Sequence, residues 1–464
     1  ATQLLWLPII VKWGTASSRV CPESTTTFRA MSRNRRTSRN AALFLLAIVV
    51  GILVCSYRLI LRYPLTGDAQ YYMSILREMD RLGVAHALST DRPLLFIALH
   101  SVRACLSIEA EALLNYLQIV LTCALTSSTY LLMNFCFKDG RLAILSAFVA
   151  SISPHVTIGI RYFIIGNWLA LIMLILLCFA LLKSQEANSH RWAILAIALS
   201  WLILGFHFPT WLFAILVLVV YSLMSLRKVK LLSQAWKFLP VRIAIGSLLA
   251  IVPAFLVSMV VPEMSATFQD AWSKIVTNLS QVGPINFVHF LQDEVLLSSY
   301  FARGSYAIPV TYALSLFGLY WLYRIQEENV QLVLSWMMVA SLGILVIPRV
   351  EQWRLLYMMP IEVLAAEGVI YMATSTKLLK DSCVADVGDR VWPRGMLLFV
   401  GLLMSGAASL LFSASSLLVV PCFTIVGWFL LCDLDISELS KMAVIEIILL
   451  YMLGGTAHAL YSLR

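Results

Sequence analysis

The stretch LTGDAQYYMSILREMDRLGVAHALSTDRPLLFIALHSVR, residues 65–103, decides how the chain is interpreted. Its first half places apolar side chains at helical spacing: Tyr72, Ile75, Leu76, Met79 and Leu82. The other face of the same helix is polar: Ser74, Arg77, Glu78, Asp80 and Arg81. This pattern predicts an amphipathic helix that lies along a membrane surface. The sequence Asp91-Arg92-Pro93 then precedes a second apolar stretch.

Asp68 comes shortly after an apolar segment and directly before the predicted surface helix. A carboxylate at the membrane boundary, with arginines nearby, can remain ionised and accept a proton. Aspartate is also a favoured N-cap residue, so Asp68 could simply begin the helix. The residues alone leave both interpretations open.

The composition is that of a membrane protein. Of 464 residues, 60% are hydrophobic and 13% are charged, whereas soluble domains carry about 25% charged residues. This excludes an ordinary soluble enzyme, a disordered chain and a nucleic-acid-binding protein. Thirteen apolar segments approach the roughly 20 residues needed to cross a bilayer: 41–61, 112–137, 141–160, 163–182, 192–207, 209–226, 243–262, 306–323, 330–348, 355–373, 395–413, 416–432 and 442–461. We therefore predict an all-α polytopic membrane protein with about 12–13 transmembrane helices.

The segment 192–226 controls the predicted topology. His207 and Pro209 interrupt one long apolar run, and we interpret it as two spans joined by a tight turn. A single kinked span is the alternative, and it would invert everything downstream. With two spans and a cytoplasmic N-terminus, nine of the ten lysines lie inside, and Lys274 is the exception. The large outer loops are then 62–111 and 263–305.

The chain divides into four predicted regions. Residues 1–40 form a basic N-terminal tail, in which the natural start could be Met31, and a transit peptide is the alternative. Residues 41–373 form the main transmembrane module, 374–394 a cytoplasmic loop, and 395–464 the C-terminal transmembrane helices. The plasma membrane is the expected location.

The first outer loop resembles the GT-C glycosyltransferases, in particular the branch with protein O-mannosyltransferases and the lipid A aminoarabinose transferase. The resemblance rests on an apolar span, an acid followed by xxYY, then REM, a glycine, and a charged residue before Pro-Leu. It implies a GT-C-like bundle, a polyprenyl-phosphate sugar donor, and Asp68 as general base on the outer side. Arg92 stands where the family often has a donor-phosphate lysine. Tyr71, Tyr72 and Asp91 are then expected to line the substrate pocket.

The second predicted outer turn, in 153–171, contributes further candidates. Arg161 is a possible phosphate ligand, although it could simply extend to lipid headgroups. Tyr162 and Asn167 are expected in the substrate pocket. The family commonly has an acid here, and Asn167, at the matching position, cannot act as a base.

The segment PRVEQWRLLYMMPIEVLAAEG, residues 348–368, is the second strong cluster. Arg354 and Tyr357 are three residues apart and share a helix face. The resemblance assigns the donor phosphate to Arg354 first and Arg349 second, with Tyr357 in the pocket. The alternative is a structural ion pair of Arg354 with Glu351 or Glu362. Glu362 and Glu367 are expected to pair with arginines, because charges within a span are costly unless paired.

The resulting hypothesis is an integral-membrane enzyme that moves a sugar from a polyprenyl-phosphate donor to a protein, lipid or glycan acceptor. No cofactor is expected. His289, Asp293 and Glu294 are interpreted as a solvated helix face, with a metal or acceptor site as the alternative, and no DxD-type motif in the outer segments supports a divalent metal. The alternatives are a non-catalytic GT-C-fold subunit of a membrane complex and a lipid or small-molecule transporter.

Overall fold

A computed structural model describes residues 40–56, 68–226, 239–260, 269, 273, 276–277, 280–282, 307–325, 328–346, 349–369 and 371. The predicted tail, the cytoplasmic loop 374–394 and the C-terminal helices of 395–464 lie outside these residues, as do His289, Asp293 and Glu294.

The described residues are almost entirely helical and contain no strand. The first helices are α1 (Asn40–Ser56), α2 (Ala69–Leu82), a 3-10 helix (Val84–Ser89), α3 (Pro93–Leu106), α4 (Ala110–Phe137), α5 (Gly140–Ser151), α6 (Pro154–Tyr162), α7 (Ile165–Ala187), α8 (His190–Phe206) and α9 (Phe208–Leu226). The later ones are α10 (Leu239–Leu248), α11 (Ile251–Val260), α12 (Ala307–Ile325), α13 (Glu328–Val346), α14 (Arg349–Tyr357) and α15 (361–369).

Five stretches of the described residues are long and apolar enough to cross a membrane. They are Ala110–Phe137, Gly140–Tyr162, Ile165–Ala187, Phe208–Ser225 and Leu239–Leu256. Shorter apolar helices occur near four more predicted spans, 41–61, 192–207, 306–323 and 330–348. The described part of the chain is therefore all-α and has the helices of a membrane protein, as the composition predicts.

The predicted amphipathic helix is present as α2. Tyr72, Leu76 and Met79 are fully buried on one face, and Arg77 is exposed on the other. Leu82, the last residue of the predicted apolar face, is 65% exposed and does not pack against the rest of the chain as the other three do. The helix ends there, and Gly83, at φ 88°, turns the chain away from the packed face.

Three predicted spans are interrupted and are not the single helices expected. The span 141–160 breaks at Ile152 and Ser153, because Pro154 starts the new helix α6. The span 243–262 breaks at 249–250, between α10 and α11. The predicted start of the span 355–373 is wrong, since Arg354 and Tyr357 belong to the separate short helix α14. Residues 358–360 separate α14 from α15, and Pro360 cannot donate a backbone hydrogen bond.

The predicted division of 192–226 into two helices is confirmed. His207 alone separates α8 from α9, with an extended backbone at φ −162° and ψ 96°. The Tyr221 hydroxyl near the end of α9 donates to Gln185 Oε1 near the end of α7, at 2.8 Å. Gly166 lies at the start of α7 and Gln185 near its end, roughly 28 Å away at 1.5 Å per residue. The end of α9 therefore lies beside the end of α7, where α8 begins. Helix α9 therefore returns along the bundle and does not continue the direction of α8.

Helices α12 and α15 cross at unusually close range. A Cβ on Gly318 would lie 1.8 Å from the carbonyl oxygen of Leu364, and a Cβ on Gly368 would lie 2.0 Å from that of Leu314. Small residues permit such backbone contact between membrane helices. Because the obstructing atoms are backbone, a side-chain rotation cannot make room.

We predict that Gly368→Ala lowers the thermal unfolding midpoint strongly, because its new methyl group forces α12 and α15 apart. The matched control is Gly140→Ala, whose Cβ would meet only the side-chain amide of Asn40, at 2.6 Å. That side chain can move, so the control should unfold close to the wild-type midpoint. Equal midpoints for the two variants in detergent would contradict this account of the crossing.

Candidate functional site

Residues far apart in sequence converge at one end of the bundle. We define the carboxylate–guanidinium cluster as Asp68, Arg92 and Arg354. Asp68 precedes α2, Arg92 precedes α3, and Arg354 lies on α14. Both arginines act electrostatically on Asp68, so the structure brings together the predicted base and two of the predicted phosphate ligands.

Asp68 is held by its backbone. Its N–H donates to the carbonyl oxygen of Tyr162 at 3.1 Å, and its own carbonyl accepts the N–H of Tyr72 at 3.0 Å. The carboxylate makes no capping hydrogen bond to α2, although Asp68 stands at the N-cap position. The interpretation of Asp68 as a helix cap is therefore wrong for its side chain, which is left available for another role.

The environment of Asp68 raises the pKa of its carboxyl group. Partial burial is the largest cause, and the negative charge of Asp91 adds to it. The positive charges of Arg92 and Arg354 oppose the rise by favouring the carboxylate. A raised pKa makes a carboxylate a stronger base, while the two arginines keep it ionisable.

Arg92 is a buried cation, with only 8% of its surface exposed. Its Nη1 donates to the Tyr72 hydroxyl at 2.5 Å, and its Nε lies 3.1 Å from Asp91 Oδ2. Burial acts to lower the pKa of Arg92, but the oxygens of Tyr72, Asp91 and Asp68 outweigh it, so the pKa is raised. The guanidinium group therefore stays protonated.

The Tyr72 hydroxyl connects two parts of the site. Besides Arg92 it accepts the backbone N–H of Gly166 at 3.1 Å, so it joins the first loop to the start of α7. A Cβ at Gly166 would lie 3.1 Å from Arg92 Nη1 and 3.4 Å from the Tyr72 hydroxyl. The absence of a side chain at this position therefore permits the close approach.

Tyr71 and Asp91 form the exposed edge of the same region. The Tyr71 hydroxyl donates to Asp91 Oδ1 at 2.9 Å. Burial and the adjacent carboxylate of Asp91 raise the pKa of Tyr71, so its hydroxyl stays protonated. Asp91 thus contacts Tyr71 with one oxygen and Arg92 with the other. Both residues lie beside the cluster, as the sequence predicts.

The remaining candidates lie in different settings. The Arg161 guanidinium stacks over the Tyr162 ring, 5.4 Å from its centroid. This contact does not connect Arg161 to the carboxylate–guanidinium cluster. Asn167 is buried in the first turn of α7. The buried Tyr357 hydroxyl donates to the carbonyl of His155 at 3.1 Å, so this predicted pocket residue is engaged in a structural contact.

Arg349 begins α14, one helix with Arg354. The side chains of Arg349 and Glu351 lie outside the described part of the chain. The phosphate contact predicted for Arg349 and the alternative pairing of Arg354 with Glu351 therefore stay predictions. Arg354 itself is half-buried.

His207 is a site residue that sequence reasoning missed. It is buried in the turn between α8 and α9, and both Arg92 and Arg354 act electrostatically on it. Burial first, and then these two positive charges, hold the pKa of His207 well below its usual value, so the ring is neutral. Its Nδ1 lies 2.7 Å from the Thr210 hydroxyl oxygen and 3.3 Å from the Thr210 backbone nitrogen, so Thr210 fixes the orientation of the ring. The polar His207 within a long apolar run could have indicated a site residue, but the sequence analysis interpreted it only as part of a turn.

His155 was also missed, and one predicted pairing is wrong. Glu362 was expected to pair with an arginine, but its carboxylate contacts the His155 ring. Both side chains are almost wholly buried, at 1% and 2% exposure. The helix faces of α6 and α15 meet here, which the sequence could not show.

Among the described residues, no group of histidine, cysteine, aspartate and glutamate side chains could hold a metal ion. No known family model matches the chain, and no curated protein is significantly similar to it. The likeness carried by residues 65–103 therefore stays a prediction.

We predict that Tyr72→Phe lowers the free energy of unfolding by about 1–3 kcal/mol, because it leaves Nη1 of the buried Arg92 and the Gly166 N–H without the acceptor they share. The matched control is Tyr71→Phe, which removes an exposed hydroxyl and should change stability by about 0.5 kcal/mol or less. SDS-induced unfolding in mixed micelles measures both. A Tyr72→Phe protein as stable as Tyr71→Phe would refute the bridging role.

Proposed function

We propose that the protein is a GT-C-like membrane glycosyltransferase that moves a sugar from a polyprenyl-phosphate donor to an acceptor hydroxyl. The observation that carries the proposal is the carboxylate–guanidinium cluster. The Asp68 carboxylate does not cap α2, and its pKa is raised. Arg92 and Arg354, which are far apart in sequence, both act electrostatically on it. A base next to two phosphate-binding cations is the minimum apparatus for this reaction.

The donor's lipid tail would remain between helices in the bilayer, with its phosphate at the cluster. Arg92 and Arg354 would bind the phosphate oxygens, since guanidinium groups pair with phosphate through charged hydrogen bonds. Helices long and apolar enough to cross a membrane agree with a donor that is itself a lipid. The GT-C-like bundle, the outer-face site and the plasma-membrane location belong to the same proposal.

The chemical step is a single displacement at the sugar. Asp68 takes the proton from the acceptor hydroxyl as that oxygen bonds to C1. The bond between C1 and the phosphate oxygen breaks, and its electron pair leaves with the phosphate. Arg92 and Arg354 stabilise the added negative charge. One such attack inverts the configuration at C1.

His207 would assist as a neutral donor. Thr210 engages Nδ1, and in the tautomer with its proton on Nε2 the ring would donate to a phosphate oxygen without adding a third positive charge. Its lowered pKa keeps it in this form at neutral pH.

The experiment uses the full chain in lipid nanodiscs, a panel of labelled polyprenyl-phosphate hexoses and pentoses, and total membranes as the source of acceptor. Asp68→Asn should lower transfer by about 10²–10⁴-fold, the usual contribution of a general base. The matched control is Asp80→Asn on the same helix, where the aspartate is exposed and pairs with Arg103. The control should transfer sugar at the wild-type rate.

Two results would favour the other functions. Unchanged activity of an intact complex containing Asp68→Asn supports a non-catalytic subunit. Substrate movement across sealed vesicles without a new glycosidic bond supports a transporter.

The pH dependence tests the electrostatics. Transfer requires the Asp68 carboxylate, so the rate should fall as the pH drops through its raised pKa. Arg354→Gln removes a positive charge that lowers this pKa, so the acid limb of the pH–rate profile should move to higher pH. Arg103→Gln, which alters a surface pair with Asp80, should leave the limb in place. A limb that stays fixed or moves down in Arg354→Gln contradicts the assignment.

A further inference from the structure

Helix α6 is short, buried and fixed at both ends. Ser153 caps its start by accepting the N–H of Val156, and Pro154 occupies the first helical position. Phe163 ends it in the left-handed conformation, with its N–H donating to the carbonyl of Gly159 at 3.0 Å. Every residue from Pro154 to Ile160 is buried.

One end of α6 contacts Asp68, and the other end contacts the helix that carries Arg354. At the C-terminal end, the carbonyl of Tyr162 accepts the N–H of Asp68 at 3.1 Å. At the N-terminal end, the carbonyl of His155 accepts the hydroxyl of Tyr357 at 3.1 Å. Tyr357 lies three residues after Arg354 on α14. About 10 Å of helix, from 155 to 162, therefore joins the segment of Asp68 to that of Arg354.

A buried pair strengthens the contact at the N-terminal end. The His155 ring pairs with the Glu362 carboxylate on α15, the helix that follows α14. The Tyr357 ring packs edge-on against the same imidazole, with the centroids 4.8 Å apart. Because both polar groups are buried, separating them would leave each without its partner, and this gives the contact a defined geometry.

The sides of α6 are also fixed. A Cβ on Gly159 would lie 2.4 Å from the Trp168 ring, so α6 lies directly against α7. Gln118 of α4 donates through Nε2 to the carbonyl of Ile160 at 3.4 Å. With neighbours on both sides, α6 is held as a fixed spacer within the bundle.

We propose that α6 sets the separation of Asp68 and Arg354, and that His155, Tyr357 and Glu362 are positioning residues for the cluster. The proposal rests on the proposed function for its purpose, because the separation matters when a phosphate and an acceptor must fit between base and cation. None of the three residues needs to touch substrate.

The test separates positioning from stability. His155→Leu/Glu362→Leu removes both buried polar groups together, and such double replacements can be nearly neutral for stability. If the pair served stability alone, this variant would keep the site geometry. Tyr357→Phe is the second variant, since it deletes only the hydroxyl bonded to the His155 carbonyl. Thr122→Val is the matched control, a buried polar change in α4 whose hydroxyl bonds Gln118 and Cys55.

The first readout is a distance that needs no ligand. Asp68→Cys and Arg354→Cys are introduced into the full chain after replacement of the native cysteines, and a short bifunctional thiol reagent links them. We expect the cross-link yield to fall at least threefold with His155→Leu/Glu362→Leu and with Tyr357→Phe, and to stay unchanged with Thr122→Val. Unchanged yields in both positioning variants would overturn the proposal.

The second readout is binding of farnesyl phosphate, measured as a thermal shift of the chain with its native Asp68 and Arg354. We expect a shift for the wild type, its loss in Arg354→Gln, and at least tenfold weaker binding in the positioning variants. No shift for the wild type together with a lowered cross-link yield means that the proposed function fails and the positioning role stands. A clear shift with unchanged yields means the reverse.

Discussion

The burial of one cation organises the site end of this protein. A guanidinium group away from water is tolerated only when oxygens surround it, and Arg92 finds them in Tyr72 and Asp91. The Tyr72 hydroxyl also takes the N–H of Gly166, so satisfying the charge locks the first loop onto α7. The position of Asp68 follows, since its backbone is held between Tyr162 and α2.

The site is built from contacts that are distant in sequence. Arg354 joins Arg92 and Asp68 because α14 is tied to α6 through Tyr357, His155 and Glu362. The same short helix carries the carbonyl that holds Asp68. The electrostatic balance at Asp68, raised by burial and lowered by two arginines, is therefore a property of the packed bundle and of no single segment.

Local sequence predicted much of this and failed where packing decides. Helical spacing predicted the apolar face of α2, but it could not show that Tyr72, Leu76 and Met79 pack inside the protein while Leu82 stays exposed. The length of the apolar segments predicted helices near the observed positions but not the breaks within them. A proline such as Pro154 or Pro360 can kink, begin or end a helix, so the sequence alone does not show which occurs. Glu362 was expected to pair with an arginine, because the sequence shows only that a buried carboxylate needs a positively charged or hydrogen-bonding partner. The partner is the buried His155 on another helix.

The amino-acid sequence by itself determined that the chain is rich in helices, that these helices suit a membrane, that the apolar run 192–226 divides in two, and that Asp68, Arg92 and Arg354 are candidate site residues. These properties depend on composition and on spacing within one segment. Only the tertiary structure decided that Asp68 does not cap its helix, that His207 lies beside both arginines, and that α6 joins the two halves of the cluster. Each of those depends on which helix faces meet, and that is set by packing between segments up to some two hundred residues apart, such as His155 and Glu362.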